Sequence, residues 1–208
     1  MRYDPEKHHR RSIRLKGYDY SREGAYFVTI CTQDRLCLFG EVVEGEMRLN
    51  DAGQMVERWW VELNRKFPGV RTDEYIIMPN HFHGIIVIVG ADPCVCHDDE
   101  MVAHANQMGT HAGAPLPKII QWFKTMTTNE YIRGVKQSGW TPFRRRLWQR
   151  NYYEHIIRNE DSLNRIRHYI ATNPLRWHLD RENPERLGKD EFDQWLKSFG
   201  KGGTSHAR

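Results

Sequence analysis

Apolar positions follow two different periods along the chain, and these periods separate strands from helices. The segment YFVTICT, residues 26–32, is dominated by apolar and β-branched residues and predicts a strand. The segment LCLFGEVVEGEMRLN then predicts a β-hairpin that turns at Gly45. A later apolar run predicts two strand pieces, residues 75–78 and 84–89, separated by a bend. These segments indicate a sheet built largely from hairpins.

The helical period appears in segments between and after these strands. Apolar residues recur every four positions from Met55 to Phe67, and this stripe predicts a helix capped by Asn50 or Asp51. A later helix begins at Asn159 or Asp161 and ends before a proline. The predicted helices cover residues 51–68, about 117–133 and 159–173, with a short further helix around 192–199.

The order of these elements predicts an α+β fold in which an antiparallel sheet packs against helices. Residues 147–158 add a strand that runs into a turn before the third helix. Residues 90–114 are rich in small and polar residues and lack a period, which predicts a long loop insertion. The resulting order, β-β-α-β-β-loop-α-β-α, does not fit a doubly wound parallel sheet.

Composition supports one folded domain with extensions. The chain has 208 residues, of which 39% are hydrophobic and 28% charged, so it can bury a sizeable core. No apolar stretch approaches the ~20 residues needed to cross a bilayer, and the N-terminus has no apolar signal region. We therefore predict a cytoplasmic, nucleoid-associated protein without a membrane partner.

Positive charge is concentrated in two parts of a nearly neutral chain. The net charge is +4, but residues 1–22 carry seven lysines and arginines against three acidic residues. Residues 118–168 carry eleven against four. This distribution indicates a polyanionic partner, although ordinary solvated helix faces would give the same charges.

Two histidines stand one residue apart at the start of the most apolar segment, MPNHFHGIIVIV. In an extended chain His81 and His83 point to the same face, and Phe82 points to the other. Two convergent imidazoles are a natural start for a divalent metal site. A hydrogen-bonded structural pair is an equally good interpretation of the two residues taken alone.

Tyr169 and Asn173 give the histidine pair a chemical context. The two residues are four apart on a predicted helix and therefore share a face. The Asn173 oxygen could serve as a third metal ligand while Tyr169 presents a hydroxyl beside the metal. This set suits phosphodiester transesterification, in which the metal polarises the phosphate and the tyrosine oxygen attacks it.

The segments MPNHFHGII, LWQRNYYEHIIRN and YIATNPLRW, in this order, resemble those of the REP-associated tyrosine transposases. These enzymes are single-tyrosine members of the HUH endonuclease superfamily, and the resemblance covers residues 20–178. It implies a ferredoxin-like (RRM-like) fold, Mg²⁺ or Mn²⁺, and single-stranded DNA with hairpins from palindromic repeats. It also implies cleavage that leaves a 5′-phosphotyrosine link and a free 3′-OH.

Carried onto this chain, the resemblance implies that His81 and His83 bind the metal and that Tyr169 is the nucleophile. Asn173 becomes the third metal ligand. Basic residues close to aromatic ones are predicted to contact the DNA. They are Arg10, Arg11, Arg14, Lys16, Lys118, Lys124, Arg144, Arg145, Arg146, Arg158 and Arg165. The predicted parts are a basic arm (1–22), a transposase domain (23–178, with variable loop 90–114) and a polar extension (179–208).

Other residues offer weaker alternatives. Tyr131, Tyr152 and Tyr153 could compete with Tyr169, but each suits a place in the core or at a helix end. His155 could hold a DNA phosphate or serve as a hydrogen-bonded structural residue.

A second set of metal-binding residues lies in the predicted loop. Cys94, Cys96 and His97, with His104 or His111, could in principle bind zinc. The gap between the two cysteines is shorter than zinc sites usually have, which favours a featureless loop.

The sequence therefore favours a metal-dependent, single-tyrosine DNA endonuclease and strand transferase. Two other functions fit the same fold: a nucleic-acid binding module without cleavage, and a rolling-circle replication initiator. The latter usually accompanies a helicase domain, and the chain has no glycine-rich phosphate loop. A monomer and a homodimer are both compatible with the sequence.

Overall fold

A computed structural model describes residues 18–89 and 114–200, and its central feature is a four-stranded antiparallel sheet. The sheet contains β1 (Gly24–Cys31), β4 (Val70–Met78), β5 (His81–Ile88) and β6 (Tyr153–Ile157). A separate hairpin is formed by β2 (Gly40–Val43) and β3 (Glu46–Leu49). The α-helices of the described residues are α1 (Asp51–Lys66), α2 (Leu116–Ser138), α3 (Glu160–Thr172) and α4 (Glu191–Gly200).

The strands lie in the order β4-β5-β1-β6, and every neighbouring pair is antiparallel. α1 connects the hairpin to β4, and α2 precedes β6. This order, with α1 and α2 together on one face, is the ferredoxin-like arrangement, so the predicted α+β fold class is confirmed. None of the helices within residues 18–89 and 114–200 has the length and apolar character needed to span a bilayer.

Strand alternation divides the core into two parts, one on each face of the sheet. On β1, Tyr26 and Val28 face α1 and α2, whereas Phe27 faces α3. Trp60 of α1 lies against Phe82 of β5 with ring centroids 4.4 Å apart. The larger core therefore lies between the sheet and α1 and α2.

Gly84 allows this close helix–sheet contact. A Cβ atom at Gly84 would lie 2.6 Å from Cζ2 of Trp60, which is far inside van der Waals contact. The indole therefore occupies the space that a side chain at residue 84 would fill. This contact positions α1 against the middle of β5.

Several predicted boundaries differ from those in the structure. β4 begins at Val70, five residues before the predicted start. The first part of this strand was missed because a bulge between Thr72 and Tyr75 interrupts the alternation of its side chains. β5 begins at His81, three residues before the predicted strand piece 84–89, so both histidines lie inside the strand. α2 continues past residue 133 to Ser138, while β6 is shorter than residues 147–158.

The predicted helix starts are confirmed in detail. The Asn50 side chain accepts a hydrogen bond from the Gly53 amide at 2.9 Å and caps α1. Asn159 caps α3 in the same way through the Ser162 amide at 2.8 Å. These caps fix where the helices begin, and α3 is the helix that carries Tyr169.

Candidate active site

The two histidines of β5 meet on the face of the sheet that α3 covers. His81 is completely buried and His83 is 4% exposed. Their Nε2 atoms are 3.0 Å apart. β5 is a central strand, paired with β1 on one side and β4 on the other, so its backbone holds both imidazoles rigidly. The structure thus brings the predicted pair to one point.

The hydrogen bonds of Asn80 fix the tautomer of His81. The Asn80 Nδ2 donates to the carbonyl oxygens of Arg35 at 3.2 Å and Glu182 at 2.8 Å. Its Oδ1 is therefore an acceptor, and it lies 2.9 Å from His81 Nδ1. His81 Nδ1 must carry the proton, so Nε2 presents a lone pair to the site.

His83 is held in a similar way from the neighbouring strand. Its Nδ1 lies 2.9 Å from the Thr29 hydroxyl of β1, which leaves Nε2 directed at His81. Burial lowers the pKa of His81, and burial together with the His81 neighbour lowers the pKa of His83 well below its usual range. Both imidazoles are therefore neutral at neutral pH, which is the form that binds metals.

Asp180 is a third potential ligand that the sequence reasoning missed. Its Oδ2 lies 3.7 Å from His81 Nε2, and it is 3% exposed. Ligand atoms of His81, His83 and Asp180 all lie within 4.8 Å of one another. A 3-10 turn, Pro174–Leu179, directs the chain after α3 back toward the sheet and so brings Asp180 to the histidines.

Asn173, the predicted third ligand, lies beside Asp180. Its Nδ2 donates to Asp180 Oδ2 at 3.2 Å. Its Oδ1 is buried and has no hydrogen-bond partner among the described residues. Such an orphaned buried oxygen is costly unless something else binds it. The role of Asn173 as a ligand stays a prediction.

The residues present suit a divalent cation. They offer two imidazole nitrogens, a carboxylate and an unpartnered carboxamide oxygen. The 3.0 Å separation of the Nε2 atoms also fits, because neighbouring ligands at about 2.1 Å from an octahedral ion are roughly 3 Å apart. The buried Asp180 carboxylate supplies negative charge that a cation would balance.

Tyr169 of α3 completes the group. Its hydroxyl oxygen lies 3.3 Å from His83 Nε2. The ring is 5% exposed and packs edge-on against Phe27 of β1. Burial, and next the charge of Asp180, raise the pKa of the phenol well above its usual range. A cation beside the hydroxyl would oppose both effects.

An ion pair fastens α3 to the edge of the sheet. Arg167, two residues before Tyr169, donates through Nε to Asp73 Oδ1 at 2.9 Å and through Nη2 to Oδ2 at 2.6 Å. Asp73 lies in the bulge of β4. This two-point contact orients the helix that presents the tyrosine.

Residues 179–200, part of the segment predicted as a polar extension, include side chains that lie directly against the site. Phe192 of α4 stacks on Tyr169 with ring centroids 3.6 Å apart and an angle of 9° between the planes. Trp195 lies under the guanidinium of Arg165, 4.6 Å from it. The segment that supplies Asp180 therefore also covers the tyrosine, and access to the hydroxyl depends on the position of α4.

The alternative tyrosines lie elsewhere. Tyr131 and Tyr152 belong to the core between the sheet and α1 and α2, and the Tyr131 hydroxyl donates to the Thr141 carbonyl at 2.8 Å. Tyr153 lies under the Arg181 guanidinium, 5.4 Å away. Only Tyr169, among these four tyrosines, has a hydrogen bond to a site histidine in the described structure.

The predicted DNA contacts fall into separate groups. Arg158 and Arg165 line a depression at the start of α3 together with His155, which is 8% exposed. Burial lowers the pKa of His155. The remaining predicted residues lie near α2. Lys124, Arg145 and Arg146 line a cleft beside the helix, Lys118 is exposed on it, and Arg144 is exposed in the following loop.

Some predicted residues lie outside the described part of the chain. They are Arg10, Arg11, Arg14 and Lys16 of the basic arm, and Cys94, Cys96, His97, His104 and His111 of the predicted loop.

Comparison with known proteins identifies relatives of this chain. No protein-family model matches it. An uncharacterized protein of Haemophilus influenzae (strain ATCC 51907 / DSM 11121 / KW20 / Rd) is 41% identical over 180 residues, covering 86% of this chain and 96% of the relative. A "Putative REP-associated tyrosine transposase" of the same strain is 26% identical over 158 residues, covering 76% and 74% of the two chains.

A solved structure shares the fold. It is described as the structure of a REP-associated tyrosine transposase bound to a REP hairpin, and it is 18% identical to this chain with a TM-score of 0.51. The match covers 79% of this chain and 73% of the other.

Proposed function

We propose that the chain is a REP-associated tyrosine transposase and that it cuts and rejoins single-stranded DNA. The proposed enzyme is a metal-dependent endonuclease and strand transferase acting at hairpins of palindromic repeats. The observation that carries this proposal is one buried cluster in which the Tyr169 hydroxyl lies 3.3 Å from a histidine that sits beside Asp180. The proposed nucleophile therefore lies beside the proposed metal ligands.

The proposed step exchanges one phosphate ester for another. The Tyr169 oxygen attacks the phosphorus of the scissile phosphodiester, a Tyr–O–P bond forms, and the P–O3′ bond breaks. The phenolic proton is lost and the departing 3′ oxygen gains a proton, so the products are a 5′-phosphotyrosine and a free 3′-OH. Because the phosphoester bond is conserved, another 3′-OH can reverse the step without ATP.

His81, His83 and Asp180 would hold the metal, and Asn173 would direct its unpartnered oxygen to the same place. We propose Mg²⁺ or Mn²⁺, which would polarise the scissile phosphate and offset its developing charge. Asn80 and Thr29 orient the two imidazoles. The rigid β5 backbone then keeps both nitrogens directed at one point.

The DNA substrate follows from the relative whose structure contains a REP hairpin. For this chain we propose single-stranded DNA that carries a hairpin, bound by the basic residues near α2 and α3. Because Tyr169 is 5% exposed, a phosphodiester can reach it only after Phe192 and its neighbours move.

The test is capture of the covalent intermediate. The purified protein is mixed with a 5′- or 3′-labelled hairpin-bearing single strand and Mn²⁺ or Mg²⁺, and the products are separated under denaturing conditions. We expect a labelled protein–DNA adduct from the 3′-labelled strand, because the fragment downstream of the cleavage point keeps the 5′-phosphate. The 5′-labelled strand should instead give a free labelled fragment that ends in a 3′-OH. EDTA and Tyr169→Phe should both abolish the adduct. Adduct formation by Tyr169→Phe would refute the assignment of the nucleophile.

Tyr153→Phe is the matched control, since it removes a hydroxyl from a partly buried tyrosine on β6. It should form the adduct as the wild type does. If neither the wild type nor this control forms an adduct with any hairpin, the burial of Tyr169 favours the second function, a DNA-binding module without cleavage. That module would bind DNA in a salt-dependent way and would be indifferent to EDTA.

A further inference from the structure

A cleft of about 640 Å³ lies between α2 and the segment that leads into β6. Its helix side carries Gln121, Thr125 and Asn129, which offer amide and hydroxyl groups. Its other side is formed by residues 145–150. The cleft is separate from the tyrosine and histidine cluster, which lies on the opposite face of the sheet.

The charged side chains that line this cleft are all positive. Arg145, Arg146 and Arg150 line it, all three are exposed, and none has a carboxylate within ion-pair distance among the described residues. No aspartate or glutamate is among the described residues that line it. By contrast, the groove between α1 and α2 includes Asp51 and Glu130 as well as arginines. The cleft is therefore suited to an anion.

The wall that carries the arginines is fixed to α2. Lys124 Nζ donates to the carbonyl oxygens of Gln149 at 2.5 Å and Arg150 at 3.1 Å. Trp148 Nε1 donates to the Thr127 hydroxyl of α2 at 2.8 Å. The predicted DNA contact at Lys124 is thus already engaged with backbone carbonyls, and its role is to hold the cleft wall in place.

The floor of the cleft decides which part of a nucleic acid it accommodates. Trp148 is 3% exposed and Tyr152 is 8% exposed, so neither ring offers an open face for a base to stack on. The exposed groups are guanidinium, amide and hydroxyl groups. These groups recognise phosphate oxygens and sugar rather than base identity.

The cleft opens at the end of the sheet that carries the histidines. The backbone N–H of Gln149 donates to the Cys31 carbonyl at 2.8 Å, and Trp148 forms an isolated antiparallel β-bridge with Thr32. Cys31 is the register partner of His81. A strand that leaves the tyrosine site around this end of the sheet would therefore enter the cleft.

We propose that this cleft binds the phosphodiester backbone of the DNA beside the cleavage point, independently of base sequence. The identity of the polymer rests on the proposed function, whereas the anion site rests on the cleft itself. The phosphates could come from the paired stem of a hairpin or from its single-stranded flank. Both present the same chemistry, and DNA probes that contain only the stem or only the flank distinguish the two sources.

The test measures how salt weakens DNA binding. The variant Arg145→Gln, Arg146→Gln, Arg150→Gln removes three charges while keeping hydrogen-bonding side chains. Affinity for a fluorescein-labelled hairpin with single-stranded flanks is measured by anisotropy between 50 and 200 mM NaCl. Losing three phosphate contacts should reduce the slope of log Kd against log salt by about 2 to 3. Over this range the wild type should lose roughly 20- to 40-fold more affinity than the variant.

A matched control removes three exposed arginines that do not line the cleft. Arg48→Gln, Arg71→Gln and Arg133→Gln change the net charge equally but lie on β3, on β4 and on α2 beside the α1 groove. The control should keep the wild-type slope. Equal slopes for the two triple variants would overturn the proposal, because overall charge alone would then explain binding. Thermal unfolding confirms that all three proteins are folded.

Two further probes identify the source of the phosphates. A blunt hairpin without flanks reports on the stem, and a linear strand without a hairpin reports on the flank. On one of these probes, the slope of log Kd against log salt should be smaller for the cleft variant than for the wild type. If the cleft variant keeps the wild-type slope on both probes, the proposal is overturned. An absent adduct in the wild type together with a changed slope would reject the proposed cleavage while supporting the cleft.

Discussion

The two faces of the sheet differ in what they bury, although they share the same strands. Toward α1 and α2, β5 presents Phe82 and Ile86 to a continuous apolar core. Toward α3 it presents His81 and His83, which meet the carboxylate of Asp180. The first face stabilises the fold by removing apolar surface from water. The second face buries polar groups, which costs free energy unless each finds a partner.

The difference shows how the apolar face supports a rigid polar site on the other side of the same strand. The apolar face holds the β5 backbone in place, and that backbone aims the imidazoles on the other face. Most polar atoms there have partners, including the two imidazoles, whose Nε2 atoms are within hydrogen-bond distance at 3.0 Å, but Asn173 Oδ1 has none among the described residues. A cation bound beside Asp180 would give Asn173 Oδ1 a partner.

The largest expected effects come from neighbouring residues on opposite faces of β5. Phe82→Ala should destabilise the fold by about 3–5 kcal/mol, because it empties a fully buried site against Trp60. His83→Ala should abolish adduct formation, because it removes a proposed metal ligand. Urea unfolding and adduct capture, measured on both variants, separate the two roles.

The two faces have different roles only if Phe82→Ala and His83→Ala differ in stability and in adduct formation. His83→Ala should remain folded, since it leaves the α1 and α2 core unchanged. Phe82→Ala, assayed where it is still folded, should retain detectable adduct. A His83→Ala protein with full adduct formation would show that this face is only structural, as the sequence alone also allowed.

Local patterns in the sequence predicted much of this arrangement. Strand alternation placed His81 and His83 on one face, and helical spacing placed Tyr169 on the same side as Asn173, the residue that caps the C-terminal end of α3. Asn50 and Asn159 were predictable caps because a side-chain oxygen at a helix start accepts an amide hydrogen. Each of these inferences depends on residues close together in the chain.

The missed features depend on contacts between distant segments. Asp180 reaches the histidines only because a 3-10 turn redirects the chain after α3, and no periodicity encodes that turn's direction. The start of β4 was hidden because its bulge disrupts the alternating pattern. Lys124 looked like a free DNA contact, yet it donates to the carbonyls of Gln149 and Arg150 across a tertiary contact.

The next largest effect should distinguish Asp180 from Asn173. Asp180→Asn keeps the shape of the side chain but removes its charge, so Mn²⁺ affinity should fall at least about tenfold. Asn173→Ala should weaken Mn²⁺ binding less, because it removes a neutral oxygen and one hydrogen bond to Asp180. Isothermal titration with Mn²⁺ measures both.

A matched control for the metal titration is Asp193→Asn, a buried carboxylate of α4 outside the metal-binding group. Its Mn²⁺ affinity should match the wild type. An Asp180→Asn protein with wild-type affinity would remove Asp180 from the site. Equal losses for Asp180→Asn and Asn173→Ala would give Asn173 the ligand role that the sequence predicted.

The smallest effect is expected from the ion pair that holds α3, the helix of Tyr169, against the edge of the sheet. Arg167→Met breaks the pair with Asp73, and because the arginine is 38% exposed the loss should be about 1 kcal/mol or less. Arg167 holds the pKa of Asp73 below its usual range, so the pair's contribution is complete at neutral pH. It should disappear as the pH falls below about 4 and Asp73 gains a proton. Adduct formation should slow a few-fold with unchanged Mn²⁺ affinity, and Arg167→Asp with Asp73→Arg should restore it. A stability difference between wild type and Arg167→Met that persists unchanged in acid would mean that packing, not charge, anchors α3.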